Sequence, residues 1–289
     1  MTDIILETQN LTYTYAPKTA SEITAIRDIS LAVERGTLVG IIGHTGSGKS
    51  TLIEHFNGLK KATGGVVMLD GKDIWENKKD VRRVRFCVGV CFQYPEYQLF
   101  EETVYKDIAY GPKNMGLSEE EIDRRVKDAL SIVGLEERYL SLSPFDLSGG
   151  EKRRVAIAGI MAMEPQVLVL DEPCAGLDPR GRATVLSMIE NYQKTTGSTV
   201  ILVSHSMEDI ASIAEKILVM NKGRLAFSGT VDEVFSHAEE LIGMGLDIPQ
   251  MAQLCLALRA RGFSLPETVY TVEQAHAAIL ASLGKGEHA

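Results

Sequence analysis

Eight consecutive residues carry the first chemical signal: Gly43, His44, Thr45, Gly46, Ser47, Gly48, Lys49 and Ser50 read GHTGSGKS and fit the pattern GxxxxGK[ST]. Glycines in such a stretch let backbone N–H groups wrap an anion, and a helix opening at the lysine adds the partial positive charge of its N-terminus. The chemistry on offer is capture of a polyphosphate. Lys49 is placed to hold the β- and γ-phosphates, Ser50 to ligate Mg²⁺, and Thr51 to lie near the α-phosphate. The second signal is VLVLDEP at 167–173, an apolar strand whose carboxylates stand at its C-terminal end, where open α/β sheets bind ligands. Asp171 suits the Mg²⁺ shell, and Glu172 suits polarising a water aimed in line at the terminal phosphate. The third is LSGGE at 147–151. Ser148 with Glu151 three residues later reads as a capping box. The Ser148 hydroxyl with the N–H groups of Gly149 and Gly150 is also an anion site, 99 residues after Lys49. Two such helix starts make sense if two chains sandwich each nucleotide.

These groups need elements to hold them. Strand patterns cover Ile4 to Tyr15, Thr24 to Val33 and Leu38 to Ile42, and the last runs into the glycine loop. Leu52, Ile53, Phe56 and Leu59 have helical spacing, so the loop joins a strand to a helix over Lys49 to Leu59. Another strand is expected over about Val84 to Phe92, which would put Cys87 and Cys91 on one sheet face. Residues 101–163 read as mostly helical, with Ser118 as a start and Gly134 as a stop. Val167 to Leu170 and Thr199 to Val203 look like parallel strands buried on both faces, joined by a crossover helix over Pro179 to Thr195. Two further amphipathic patterns follow Ser236, one through Met251, Leu254, Cys255 and Leu258 and one through Val272, Ala275, Ile279 and Leu283. The expected division is a domain over 1–236, with a helical subdomain at about 94–163, and an extension over 237–289. That extension reads as an oligomerisation element that pairs two chains, or as a hairpin packing on its own domain.

Composition narrows the partners. With 30 basic against 39 acidic residues and a net charge of -9, nucleic acid is not expected as a principal partner. No apolar run reaches the roughly 18 residues of a membrane span, and the start lacks a signal-peptide pattern, so the chain is expected in the cytoplasm. Four cysteines without a CxxC pair read as reduced thiols. The basic clusters Lys78, Lys79, Arg82, Arg83, Arg85 and Lys152 to Arg154 read as solvated faces, with docking to a partner or to headgroups as the alternative.

The order along the chain is more specific than any one motif. Tyr15, the glycine loop, Gln93, LSGGE, the acidic strand end, AGLD at 175–178 and His205 follow one another in a way that resembles the ATPase domain of ABC transporters over about residues 4–236. The resemblance implies an α/β P-loop NTPase fold with a RecA-like core, an N-terminal antiparallel β subdomain, an inserted α-helical subdomain and a small C-terminal helical extension. It implies that ATP is the nucleotide and that Tyr15 stacks on its adenine. Gln93 would sense Mg²⁺ and couple to a membrane partner, His205 would contact the γ-phosphate, and Asp178 would belong to the nucleotide site through the AGLD loop. Glu151 stands where the family usually has Gln, and Cys174 where it usually has Thr. The capping box turns Glu151 back onto the Ser148 backbone, so a small effect is expected.

The stretches QYPEYQLFEETVYKDIAYGPKN, LSGGEKRRVAIAGIMAMEP and DIPQMAQLCLALRARGFSLPETVYTVEQ look like the energy-coupling factor (ECF) transporter ATPases, most like the second of their two paralogues. That resemblance implies ATP hydrolysis coupled to uptake of vitamins or transition-metal ions, at the cytoplasmic face of the cell membrane. The implied partners are a second ATPase subunit, as a paralogue in a heterodimer or a copy in a homodimer, a transmembrane coupling subunit and a substrate-binding membrane subunit. The competing reading is a soluble, non-transport ABC ATPase, a class that usually carries two cassettes or a long coiled coil. Tyr94, Tyr97, Leu99, Phe100 and Tyr105, just after Gln93, are expected either to wall a groove for a helix of the membrane subunit or to cover the helical subdomain.

Overall fold

The computed structural model describes residues 3–77, 79–266 and 268–284; Lys78 of the basic cluster lies outside them. Strands β1 (Ile4–Tyr15) and β2 (Ile23–Glu34) pair antiparallel, β3 (Leu38–Ile42) leads into helix α1 (Lys49–Phe56), and β4 (Gly64–Leu69) and β5 (Lys72–Asp73) follow. Helix α2 (Val81–Cys87) runs directly into β6 (Val88–Cys91), and α3 (Val104–Met115), α4 (Glu119–Ile132) and α5 (Gly149–Met161) form a helical layer. Then come β7 (Val167–Asp171), α6 (Pro179–Thr196), β8 (Thr199–Val203), α7 (Met207–Ile213), β9 (Lys216–Asn221) and β10 (Arg224–Thr230). Helices α8 (Val231–Ser236), α9 (Ala238–Gly243), α10 (Gln250–Arg259) and α11 (Val272–Gly284) close the described chain.

Two sheets result. One is antiparallel in the order β2-β1-β4-β5; the other runs β10-β9-β3-β8-β7-β6 and is parallel except for the β10-β9 pair. Each residue of β3, β7 and β8 is buried, because helices or the other sheet cover both faces of the parallel strands. Side-chain alternation assigns the two faces. Val167 and Val169 of β7 pack with Ile5, Leu11 and Phe56 between the sheets, whereas Leu168 and Leu170 pack with Val155, Ala158 and Met161 of α5.

The single strand expected over Val84 to Phe92 is two elements. Val81 and Val84, three apart, are buried on one side of α2, while Arg82, Arg83 and Arg85 take the other positions, which is helical rather than alternating spacing. Strand character begins only at Val88, so Cys87 ends a helix, half-buried, while Cys91 is buried in β6, and the two do not share a sheet face. The four cysteines are free thiols. Ser118 caps α4 by accepting a hydrogen bond from the Glu121 N–H at 3.3 Å, and Gly134, at φ +68°, follows its end.

The extension divides its apolar residues between two surroundings. Leu241, Leu246, Ile248, Ala252 and Tyr270 join the large core that contains α5 and β7, and Tyr270 packs against Phe235 with ring centroids 5.4 Å apart. Cys255, Leu265, Val269 and Ala275 form a small separate cluster. Leu254, Leu280 and Leu283 remain exposed. No described helix is long and apolar enough to cross a membrane.

Candidate nucleotide-binding site

The glycine loop links the C-terminal end of β3 to α1. Gly48 has φ +101°, and a Cβ there would lie 2.8 Å from Ile26 Cγ2 and 2.9 Å from the Ala25 carbonyl oxygen, so the turn requires glycine. No side chain caps α1, which leaves its first N–H groups for an anion. Lys49 Nζ donates to the carbonyl oxygens of Gly43 at 2.5 Å and His44 at 3.2 Å, folding the lysine back along the loop. Burial pushes the Lys49 ammonium below its ordinary pKa, against the opposing pull of Glu172 and Asp171.

The acidic end of β7 meets this loop. Ser50 Oγ donates to Asp171 Oδ2 at 3.2 Å. Burial raises the Asp171 carboxyl, the Ser50 hydrogen bond pulls it back, and the neighbouring Glu172 charge raises it again. A hydroxyl and a carboxylate oxygen are hard donors, and adjacent ligands of an octahedral Mg²⁺ lie about 2.9 Å apart. The pair therefore fits two positions of a Mg²⁺ shell. Among the described residues no group of three or more His, Cys, Asp or Glu side chains could hold a metal ion.

Glu172 sits at φ +52°, a left-handed conformation that costs a non-glycine residue free energy. Its N–H donates to the Val203 carbonyl at 2.9 Å, tying β7 to β8 beyond their regular pairing. Its Oε2 lies 2.7 Å from Nδ1 of His205, which follows β8; the glutamate side chain is 12% exposed and the histidine 69%.

A cleft of about 920 Å³ is lined by Gly43, His44, Thr45, Gly46, Gly48, Lys49, Ser50, Thr51, Gln93, Asp171, Glu172 and His205. Ser47 is buried beneath the loop. Tyr15 is not part of the lining; its hydroxyl lies 3.2 Å from Oγ1 of Thr51, which is, and its ring meets Tyr13 edge-on at 4.9 Å. Four expected residues stand elsewhere: Ser148, Gly149, Gly150 and Asp178 do not line this cleft and are solvent-exposed. An added Cβ on Gly149 or Gly150 would meet nothing within 4 Å, so the start of α5 is sterically open. Asp178 Oδ1 accepts from the Gly181 N–H at 2.7 Å and caps α6. The capping box at Ser148 is complete. Glu151 Oε2 accepts from Ser148 N at 2.8 Å and Ser148 Oγ at 2.6 Å, while Oε1 accepts from the Tyr139 hydroxyl at 2.8 Å. Those bonds hold the Glu151 carboxyl down at about 2.

Sequence reasoning missed Gly245, Leu246 and Asp247, which bring the extension to the rim of the cleft, and Lys60, whose Nζ donates to the Tyr15 hydroxyl at 2.6 Å. No local pattern announces a contact between residue 247 and a loop near residue 45. For Lys60 the signal was weak: two lysines after the first helix of the fold.

The family profile described as ABC transporter matches residues 26–175. The energy-coupling factor transporter ATP-binding protein EcfA2 of Clostridium perfringens (strain 13 / Type A) is 52% identical over 276 residues, covering 95% of this chain and 97% of that protein. This chain belongs to the ABC transporter family. Within the family, the protein of the same name from Clostridium tetani is 51% identical over 95% of this chain and 96% of its own length. Among solved structures, cbiO1 from Clostridium perfringens, part of the ABC transporter complex cbiONQ, superposes with TM-score 0.75 at 37% identity, covering 88% of this chain and 99% of that one. A dimeric ATP-binding cassette in a post-hydrolysis state, bound to ADP and Pi, superposes with TM-score 0.70 at 27% identity, covering 78% and 99%. As an ABC ATPase this chain has the α/β core, the antiparallel subdomain and the helical insertion that the motif order implied.

Proposed function

We propose that this chain is the ATP-binding and hydrolysing subunit of an energy-coupling factor importer, working at the cytoplasmic face of the membrane as one of two ATPase chains. The observation that carries the proposal is the division of the phosphate chemistry. Lys49, the Ser50–Asp171 pair and the Glu172–His205 pair converge on one cleft, while the open start of α5 at Ser148 lies outside its lining and is exposed. A helix start with two sterically unobstructed glycines beside a capping serine suits the terminal phosphate of a nucleotide held by a second chain. The likeness to a dimeric cassette bound to ADP and Pi supports that arrangement.

In this reading the loop N–H groups and Lys49 grip the β- and γ-phosphates, Thr51 meets the α-phosphate, and Tyr15 stacks on adenine. Ser50, Asp171 and Gln93 would hold Mg²⁺, which when bound offsets phosphate charge as it shifts during transfer. Glu172 takes the proton of the attacking water as general base. His205, steadied through Nδ1 by Glu172, keeps Nε2 for the γ-phosphate. Asp178, at the head of α6, shapes the loop that meets the other chain.

The names of the relatives, an energy-coupling factor transporter ATP-binding protein and a part of an ABC transporter complex, support membrane partners; the partners proposed are a paralogous ATPase, a transmembrane coupling subunit and a substrate-binding membrane subunit, and the proposed cargo is vitamins or transition-metal ions. A shallow groove of about 340 Å³ walled by Leu99, Phe100, Tyr110, Gly111 and Met163 is offered as the seat for a helix of the coupling subunit. Phe100 is 56% exposed there, and Tyr97 beside it is 84% exposed. The test is to express the chain with and without its candidate membrane subunits and to measure Mg²⁺-dependent phosphate release and membrane retention. Hydrolysis without any retention by those subunits would favour the soluble ATPase; absence of hydrolysis in the assembled complex would sink the proposal.

A further inference from the structure

Lys60 stands between two parts of the nucleotide site that come from distant stretches of chain. Its backbone N–H donates to the Glu54 carbonyl at 3.0 Å and its Nζ pairs with Glu54 Oε2 at 2.7 Å, so both ends of the residue are fastened to α1. The same Nζ donates to the Tyr15 hydroxyl at 2.6 Å and lies 4.5 Å from the centroid of that ring. Tyr15 ends β1, and its hydroxyl in turn lies 3.2 Å from Thr51 Oγ1 on α1. Lys60 thus closes a ring of contacts from α1 through Glu54, Lys60, Tyr15 and Thr51 back to α1.

Donor chemistry fixes the direction of the bonds that Lys60 makes in that ring. An ammonium donates and cannot accept, so the Tyr15 oxygen is the acceptor toward Lys60. Burial alone would lower the Lys60 ammonium, but its bonds to Glu54 and Tyr15 hold it above its ordinary pKa, so it stays charged at working pH. Geometry alone allows either oxygen of the Tyr15–Thr51 pair to donate, but accepting from an ammonium polarises the Tyr15 O–H and favours Tyr15 as the donor to Thr51 Oγ1. Thr51 then accepts from Tyr15 and keeps its own proton for something else. Thr51 lines the cleft, and the polyphosphate proposed for that cleft presents acceptor oxygens.

We propose that Lys60 is a positioning residue for nucleotide binding: by fixing the Tyr15 hydroxyl as donor to Thr51, it orients the Tyr15 ring and directs the Thr51 hydroxyl into the cleft as a phosphate donor. The inference rests on the reading of Tyr15 as the adenine platform and Thr51 as an α-phosphate contact. Its ligand is the nucleoside triphosphate itself, and its effect falls on affinity rather than on the chemical step, since neither Lys60 nor Tyr15 touches Glu172 or His205.

The test is a double-mutant cycle on the full chain, assembled with its partners, with ATP as the probe. Expected outcomes are a rise in KM for ATP of about threefold to tenfold in Lys60→Met with kcat within about twofold, and recovery in Lys60→Arg, which keeps a charged donor. Tyr15→Phe, which removes the hydroxyl but keeps the ring, should raise KM and make a further Lys60→Met change nearly silent. Strictly additive effects of the two substitutions, or an unchanged KM in Lys60→Met, would overturn the proposal. Equal loss of kcat and of melting temperature in Lys60→Met would assign the lysine to the fold instead. Tyr15→Ala separates this inference from the reading beneath it: an unchanged KM there would remove Tyr15 from the site, whereas a raised KM with silent Lys60 variants would leave Tyr15 in place and reject Lys60 alone.

Discussion

Arg153 grips Glu96 with two parallel contacts, Nε to Oε2 at 3.0 Å and Nη2 to Oε1 at 2.7 Å, from a buried guanidinium. Its remaining nitrogen, Nη1, donates to the carbonyl oxygens of Pro173 at 3.2 Å and Ala175 at 2.5 Å. One side chain on α5 therefore joins the turn that follows Gln93 to the loop between Glu172 and Asp178. Planar, five-donor geometry is what such a junction needs, and a lysine could not supply it.

Removing one partner of this pair should cost far more than the pair is worth, because a buried charge is left alone. Arg153→Met is expected to lower stability by about 3–5 kcal/mol, read from the midpoint of urea unfolding. Burial pushes the Glu96 carboxyl up, but the Arg153 hydrogen bonds hold it below its ordinary value. The stabilisation is then fully present above the unfolded pKa of about 4.3 and fades as pH falls through the lower folded value. The gap between wild type and variant should narrow only in acid; a gap that is constant from neutral pH into acid would show that the ion pair is not its source.

Glu172→Gln should keep ATP and Mg²⁺ binding while phosphate release falls by about 10²–10⁴, since an amide cannot take the proton of water. Lys49→Ala should instead weaken nucleotide binding. Equilibrium binding and single-turnover hydrolysis on the same preparations separate the two, and equal hydrolysis by wild type and Glu172→Gln would remove the residue from its role.

Truncation after Ser236 uncovers Phe235 and deletes Leu241, Leu246, Ile248, Ala252 and Tyr270 from the main core. At about 1.5–3 kcal/mol for each large side chain lost from burial, the remaining cassette should melt at a clearly lower temperature while still unfolding in one transition. Light scattering on the same protein reports whether pairing of chains also falls. An unaltered melting temperature would mean that the extension stands apart from the cassette.

Replacing Leu99 and Phe100 together with alanine should leave most of the hydrolysis and abolish assembly with, or transport through, the membrane subunits. Leu99 is partly buried against the core, so part of the effect will be on stability, whereas Phe100 makes an edge-on contact with Tyr110 at 5.0 Å and is the cleaner single change. Parallel loss of hydrolysis and assembly would assign both residues to the core, and normal transport would remove the groove from coupling.

Most of the cleft was legible because its chemistry is local. The glycine loop, Ser50 and Thr51 follow a strand within a few residues, and Asp171 and Glu172 mark the end of another, so spacing alone orders them. What escaped is long-range. Arg153 reads as one of a run of surface cations until Glu96 folds over it, and Asp247 belongs by sequence to a tail. The α2 segment failed for a different reason: VRRVRFC runs straight into VGVC, and the apolar residues of a short helix followed at once by a buried strand give no break in pattern. Ser148 was legible as a helix cap because the Ser-x-x-Glu spacing is local, and the capping box is present.

The place of β3 in its sheet bears on how the chain is made. The phosphate loop hangs from Leu38–Ile42, yet the two neighbours of that strand are Thr199–Val203 and Lys216–Asn221. At roughly 5–20 residues per second, about ten to thirty seconds of synthesis separate the strand from its first partner. Through that interval a fully apolar β3 waits with both edges unpaired, in the state that aggregates or recruits chaperones most readily. A ribosome that stalls between residues 51 and 199 therefore leaves a nascent chain with its nucleotide motif already written and nothing to hold it, and such arrested chains should be bound by holdase chaperones rather than by ATP.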